Sequence, residues 1–414
     1  MIQTFNLEKE RLACLELALL PALRKGQACE WVRKYGSAAS FLQKAEVLSK
    51  AKELPPLRAE TRSALLSLSK NWSTESGINL SPRAEQAMGR LGSEMQFVVW
   101  GEPDYPAALS QIADAPVCLF YCGQKSILQE VCISIVGSRK ANAYGENVAH
   151  ALACEAAKVG YCVVSGLAKG IDSSAHKGAL EVGGKTMAVM PCGLDLCYPR
   201  SNTWLYNRIV EEGIAVSEYP PGTMPEKWHF LERNRIVSGL SVVTVVAQAG
   251  AGSGSIRTAQ FAADQGREVY CVPGSIFEQD NIGAHRLIQD GANILTSIQA
   301  LTAIYGSPTE VKPVAKSPVM QSEKKIGHAV TYTKRRDSSS AAEPLKTAQN
   351  RLKRVQEQLP AAAWLYEAMD DFGLLPEELC RRTGRSAVEV QMALSLLELQ
   401  GFAEETGQGQ VIKI

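Results

Sequence analysis

Six short, almost unbroken apolar runs recur between Val131 and Val272, and each is followed by a stretch suited to a helix. They occupy 131–136, 161–165, 186–190, 214–217, 242–247 and 268–272. A strand with one face in water alternates apolar and polar residues. Val131-Cys132-Ile133-Ser134-Ile135-Val136 and Val242-Val243-Thr244-Val245-Val246-Ala247 instead carry apolar residues on both faces, as strands do in a parallel sheet covered by helices on each side. Helices are predicted to begin near Tyr144, Ser173, Ser201, Arg233, Ser255 and Ala284. The pattern therefore predicts an α/β domain built on a doubly wound, Rossmann-like parallel sheet, and such sheets bind ligands at the carboxyl ends of their strands.

A chain of 414 residues exceeds one ordinary core and suggests about two or three domains. Leu12, Leu15, Leu19 and Leu20 open a helical, short-stepped region punctuated by Gly26, Gly36 and Pro55-Pro56, which predicts a helical domain over 1–75. Within it, Trp31 to Ser37 reads as a helix end with basic residues near its C-terminus. The sheet domain is expected over 76–305, with Phe97-Val98-Val99-Trp100 and Val117-Cys118-Leu119-Phe120-Tyr121 as lead-in strands. Residues 306–359 are rich in Lys, Arg, Ser, Pro and Gln and read as a basic flexible linker. From 360 to 414, three helices (Ala361–Asp370, Pro376–Thr383, Ser386–Gln400) and a hairpin beginning at Gly401 predict a winged helix-turn-helix. Its third helix has almost no basic residues, so a protein-contacting or weakly DNA-contacting module is expected rather than a major-groove reader.

The 11 cysteines are scattered through apolar runs without metal or redox spacing, as expected of core residues in a reducing cytoplasm. The first residues lack a basic segment followed by an apolar run, and no stretch of about twenty uninterrupted apolar residues occurs, so neither a signal peptide nor a membrane span is expected. A net charge of +1 leaves any basic surface to be local.

The strand ends carry the chemistry. The first apolar run ends in Gly137-Ser138-Arg139, and the second in Ser165-Gly166-Leu167-Ala168-Lys169-Gly170-Ile171-Asp172. Glycine beside a basic residue suits phosphate held by backbone N–H groups at a helix N-terminus. Nucleotide cofactors are not expected. Gly250-Ala251-Gly252-Ser253-Gly254 has the wrong glycine spacing for a dinucleotide fingerprint, the next strand ends in Val272-Pro273-Gly274 without an acid, and no P-loop motif occurs. Asp172 and His176, one helical turn apart, could share a metal, but no third ligand is evident and Asp172 reads as a helix cap. Glu218 is an acid at another strand end without an evident partner. There remain Arg139, Lys169, Arg233, Arg235 and Arg257 at or just beyond strand ends, with Ser138, Ser165, Ser253, Ser255 and Thr258 as hydroxyl donors. So many cationic loops suit several phosphates in a row.

These residues also carry a family likeness. Gly137-Ser138-Arg139 with Tyr144-Gly145, Ser165 to Asp172 with Ala175-His176, Tyr198-Pro199, Ser217-Glu218-Tyr219-Pro220, Phe230 with Arg233-Asn234-Arg235-Ile236, Ser253-Gly254-Ser255 with Thr258-Ala259, and Pro273-Gly274 resemble the DNA-processing protein A family, also called Smf. The resemblance implies an extended Rossmann fold, a sterile-alpha-motif-like N-terminal domain and a variable C-terminal winged helix. It further implies a non-enzymatic, cofactor-free and metal-free single-stranded-DNA-binding protein of the cytoplasm. Such a protein forms homodimers, protects incoming DNA in natural transformation, displaces single-strand-binding protein and loads the RecA recombinase. Carried over by position, Arg139 and Lys169 become the principal phosphate ligands, and Arg233, Asn234 and Arg235 shape the adjoining loop. Gly137, Ser138, Ser165, Gly166, Gly170, Ser253, Gly254, Ser255 and Arg257 complete the expected phosphate-binding set. Gln248, Leu231 and Arg257 depart from the family's common glutamate, proline and apolar residue. The alternative is a nucleotide-binding enzyme of the phosphoribohydrolase (lysine-decarboxylase-like) type, whose Pro-Gly-Gly-x-Gly-Thr-x-x-Glu motif is absent. A purely structural scaffold would leave the cationic rim unexplained.

Overall fold

The computed structural model describes residues 2–24, 26–72, 79–308, 355, 359–369, 376–400, 402–405 and 411–413. The chain divides into two compact units, Met1–Pro318 and Val319–Ile414.

The first unit opens with five helices: α1 (Ile2–Ala18), α2 (Gln27–Tyr35), α3 (Ala38–Lys50), α4 (Ala59–Trp72) and α5 (Pro82–Leu91). Local chemistry sets their ends. Gly36, at φ 83°, terminates α2 behind Arg33 and Lys34, as its sequence suggests. The Ser37 hydroxyl accepts the Ser40 N–H at the start of α3, and Ser81 caps α5, where Pro82 takes the first helical position. Leu15, Leu17, Phe41, Leu42 and Leu65 form their core, and the same core continues onto one sheet face through Cys118, Phe120, Ala188 and Met190. Arg11 ties α1 to the sheet through Glu102 (2.9 Å) and the Phe97 carbonyl (2.7 Å).

β1 (Met95–Val99), α6 (Ala107–Ser110) and β2 (Cys118–Gly123) follow, and then the alternation expected from the apolar runs. It comprises β3 (Cys132–Gly137), α7 (Ala143–Lys158), β4 (Cys162–Ser165), α8 (Ile171–Glu181), β5 (Thr186–Val189), α9 (Thr203–Glu212), β6 (Ile214–Ser217), α10 (Lys227–Gly239), β7 (Ser241–Gln248), α11 (Gly254–Asp264), β8 (Glu268–Cys271), α12 (Ile282–Gln289), β9 (Asn293–Ile294) and α13 (Ala300–Tyr305). The nine strands form one sheet in the order β1-β2-β6-β5-β4-β3-β7-β8-β9. β3 to β9 run parallel, while β2 pairs antiparallel with β6 and with β1, so the lead-in strands form a mixed edge. Strand order reverses between β3 and β7, which places the topological switch point, and the crevice it opens, at the end of β3.

One boundary differs from expectation. α10 starts at Lys227, not near Arg233, because Glu226 takes the N-cap position and its N–H donates to His229 Nδ1 at 3.2 Å.

In the second unit, α14 (Ala363–Ala368), α15 (Pro376–Thr383) and α16 (Ala387–Leu399) precede β10 (Ala403–Glu405), paired antiparallel with β11 (Val411–Lys413). Leu365, Leu379, Val390, Leu394, Leu397 and Phe402 form its core. Val388, Met392 and Leu396, at i, i+4 and i+8 on α16, are exposed. The hairpin's connection at 406–410 and nearly all of the basic linker at 306–359 lie outside the described residues. Among the described residues no helix is long and apolar enough to cross a membrane.

Candidate nucleic-acid interface

The loop leaving β4 is held peptide by peptide. Ser165 is buried, and its hydroxyl donates to the Ile135 carbonyl on β3 at 2.6 Å. The Gly166 N–H donates to Asp172 Oδ2 at 3.1 Å, and its carbonyl accepts from Arg233 Nη1 at 2.8 Å. The Leu167 carbonyl accepts from Asn202 Nδ2 at 2.9 Å, the Ala168 N–H donates to Asp172 Oδ2 at 3.4 Å, and the Ala168 carbonyl accepts from the Ser173 hydroxyl. Leu167 itself sits at φ 56°, an unfavourable region for a branched side chain, with that side chain fully buried. Gly170 ends the loop at φ 74°, ψ −125°. A Cβ there would lie 2.4 Å from the Ser138 carbonyl oxygen, so only glycine lets the two strand-end loops touch. The Ile171 N–H closes the contact by donating to that same oxygen at 3.3 Å. Lys169 is lifted into solvent at the apex of this rigid loop.

Beneath the loop lie two opposite charges. Burial pushes the Asp172 carboxyl up from its ordinary pKa, partly offset by Arg233 and by the Gly166 and Ala168 N–H groups. Burial likewise pulls Arg233 down to about 10, partly offset by Asp172. Arg233 also donates to the Val189 carbonyl, so its Nη1 serves the backbone at the ends of β4 and β5, while its Nε donates to Asn234 Oδ1 at 3.3 Å.

Arg233 and Arg235 were expected among cationic loops at the strand ends. Both lie inside α10, 3% and 2% exposed. Arg235 binds Glu218 at 2.6 Å and Asp114 at 3.4 Å. Burial opposes its charge, and the two carboxylates outweigh that cost and raise its pKa. Glu218 thus has its partner. Between the two arginines, Asn234 Nδ2 donates to the Gly254 carbonyl at 3.3 Å, joining α10 to the start of α11.

The groups that face solvent cluster on three adjacent loops, because β3 lies between β4 and β7. Gly137 is packed against Ile171 and the Gln248 carbonyl, and the Ser138 N–H donates to that carbonyl at 2.8 Å. Ser138 Oγ accepts from the Lys140 N–H. Arg139 is exposed, its guanidinium 4.8 Å from the Phe230 ring centre, and Phe230 meets Tyr198 edge-on at 5.3 Å. After β7, Ser253 caps α11 and shares a 2.7 Å hydroxyl contact with Ser255, beside exposed Gly254. Ser255 and Thr258 are buried. Arg257 is exposed but lies along α11, over Phe261 and bonded to Gln260 at 3.1 Å. Leu231 is exposed, whereas Gln248 is fully buried. The Gln248 amide accepts from the Asn142 N–H and donates to Asn142 Oδ1, a dual role that a carboxylate lacks.

Tyr198 and Phe230 were absent from the expected ligand set, although both stand in the motifs quoted above. Their pertinent signal is aromatic residues interleaved with cationic ones, which suits base stacking beside backbone contacts. Asp172 and His176 turn away from each other's chemistry. Asp172 faces the loop amides. His176 Nδ1 lies 2.7 Å from Thr186 Oγ1, whose own hydrogen goes to the Val163 carbonyl, so the imidazole is the donor. Among the described residues, the one grouping of three potential metal donors is His150, Cys154 and Glu181, away from the strand ends.

Residues 96–306 match the family model of DNA recombination-mediator protein A, and residues 356–409 match that of the DprA winged helix domain. The DNA processing protein DprA of Streptococcus pneumoniae is 45% identical over 205 residues, which are 49% of this chain and 71% of that protein. The DNA processing protein DprA of Bacillus subtilis is 43% identical over 196 residues, 47% of this chain and 66% of that protein. The X-ray structure of the Streptococcus pneumoniae protein is similar with a TM-score of 0.58 at 32% identity, covering 71% of this chain and 97% of that one.

Proposed function

Because this chain belongs to the DNA recombination-mediator protein A family, we propose that it binds single-stranded DNA along the rim formed by the β3, β4 and β7 loops. There it protects incoming DNA during natural transformation and loads RecA recombinase onto it in place of single-strand-binding protein. One observation carries the DNA-binding step. Two loops locked together by Gly170 and the Ile171 N–H hold Arg139 and Lys169 in solvent on neighbouring loops, with Arg139 against the Tyr198–Phe230 pair. Fixed cations grip phosphates without reading sequence, and aromatic faces accept any base. Oligo(dT) binding with a steep salt dependence and little base preference is expected. Arg139→Glu and Lys169→Glu should each weaken it severely without changing the circular dichroism spectrum; undiminished titrations in both variants would remove the rim from the interface.

Partners follow from the same proposal. A pull-down with purified recombinase should retain RecA, and an empty pull-down would sink that part of it. Homodimer formation is supported by exposed apolar side chains, Ile276 and Phe277 in the loop after β8 and Ile294 on the edge strand β9. Sedimentation as a monomer at micromolar concentration would contradict it. The apolar stripe of Val388, Met392 and Leu396 favours a protein partner for the winged helix; duplex DNA binding lost on Met392→Glu would argue instead for DNA.

A further inference from the structure

A second feature at the same end of the sheet has no part in the rim. Between the N-terminal helices and the loop after β6 lies an open trough of about 1210 Å³, larger than a typical small-ligand pocket. Its lining also holds three acids: Glu218 and Asp114 share the single charge of Arg235, and Glu232 accepts from the Tyr219 hydroxyl at 3.1 Å. Its upper wall carries Arg24, Arg58, Arg83 and Arg90. Arg24 pairs with Glu30 at 2.7 Å. Arg58, Arg83 and Arg90 have no acidic partner within 4.0 Å among the described residues, and all three are exposed. Arg83 and Arg90 stand seven residues apart on one face of α5, and the Arg90 guanidinium lies against Gly222 on the opposite wall.

Helix α10 borders both the trough and the rim. Its Trp228 and Glu232 line the trough, and two residues from Trp228 the same helix presents Phe230 to Arg139. Trp228 is half exposed and meets Tyr219 edge-on. By strand spacing the end of β6 lies about 15 Å from the end of β3, a span that a few nucleotides of extended strand cross.

We propose that this trough is a second single-stranded-DNA segment site, in which Arg58, Arg83 and Arg90 bind phosphates of the strand leaving the rim and Trp228 offers a stacking face. The proposal rests on the rim being the first segment site. Three exposed cations without an acidic partner, lining an open trough that also presents Trp228, match an extended polyanion better than a compact ligand.

The test is an anisotropy titration of the full chain with oligo(dT) of about 6 and about 25 nucleotides across a salt series. Glutamine at all three positions (Arg58→Gln, Arg83→Gln, Arg90→Gln) keeps much of each side chain's length. For the longer strand, affinity should fall roughly tenfold and the log–log salt slope should flatten by about 2, since each lost phosphate contact is worth about 0.7 on single strands. The short strand, held at the rim, should bind as before, which also shows that the variant is folded. Unchanged affinity and slope for the longer strand would overturn the proposal, as would equal losses for both lengths. If polyglutamate binds the wild-type chain and not the variant while the longer strand is unaffected, the trough takes an acidic polypeptide and the proposal also falls. A wild-type chain that binds neither strand refutes the rim itself, a different outcome from a rim-dependent chain indifferent to the trough.

Discussion

Gly170→Ala tests whether the two strand-end loops are locked as the geometry states. A side chain there meets two costs. At φ 74°, ψ −125° a β-carbon is held in a sparsely populated region, worth about 1–3 kcal/mol. It would also lie 2.4 Å from the Ser138 carbonyl oxygen and 3.2 Å from the Arg139 carbonyl carbon, both backbone atoms that cannot rotate away; relieving such overlap costs about 1–3 kcal/mol. The stiffer unfolded chain returns about 0.4–1 kcal/mol. The sum is a loss of about 1–6 kcal/mol, about 3 at mid-range. Gly183→Ala is the control, with φ 68° and no atom within 4 Å of the new carbon, so only the backbone cost of about 1 kcal/mol applies. Urea unfolding followed by tryptophan fluorescence reports the first unit, which holds five of the six tryptophans. Gly170→Ala should unfold at clearly lower urea than Gly183→Ala, and oligo(dT) affinity should fall only in the former, because displacing the Ser138 loop moves Arg139 from Lys169. Equal midpoints together with undiminished binding would refute the locked-loop account.

His176 predicts a pH dependence of stability. Burial, with a smaller push from Arg233, depresses its folded pKa to about 3 from an ordinary 6.5. A depressed histidine contributes stability that is present above pH 6.5 and lost as pH falls toward 3, so about 2 kcal/mol should disappear between pH 7 and pH 5. His176→Gln should flatten that part of the urea-midpoint profile, and an unchanged slope would contradict it. Arg233→Met leaves Asp172 buried without its counter-charge and the Gly166 carbonyl without this donor, and should cost about 3–5 kcal/mol in the same assay, whereas Arg257→Ala should change stability by less than about 0.5 kcal/mol. A chain ending at Pro318 retains the whole rim within one compact unit and should keep its oligo(dT) affinity within a few-fold; its loss would place essential contacts after that residue.

Much of this fold was legible because its cause is local. Continuous apolar runs such as 242–247 announced parallel strands buried on both faces, and their ends fell within about two residues of the observed ones. Gly137, Gly166 and Gly170 were read as phosphate-cradling glycines, and the structure gives them a further role, since their β-carbons would overlap neighbouring backbone or side chains. Arg139 and Lys169 were placed by the same loops. The sequence by itself therefore determined the strand order in time, the glycine-dependent turns and the two cations they raise into solvent. Tertiary structure alone decided the fate of the remaining charges. Nothing in Phe230 to Ile236 states that Arg233 would turn inward to carbonyls of Gly166 and Val189, or that Arg235 would find Glu218 and Asp114, because those partners lie far along the chain and a residue's charge does not encode its neighbour. The same is true of the core that the N-terminal helices share with the sheet, and of the arginine-walled trough between them. Periodicity and turn chemistry act over a few residues and can be read in order, whereas burial and ion pairing are settled only when distant segments meet.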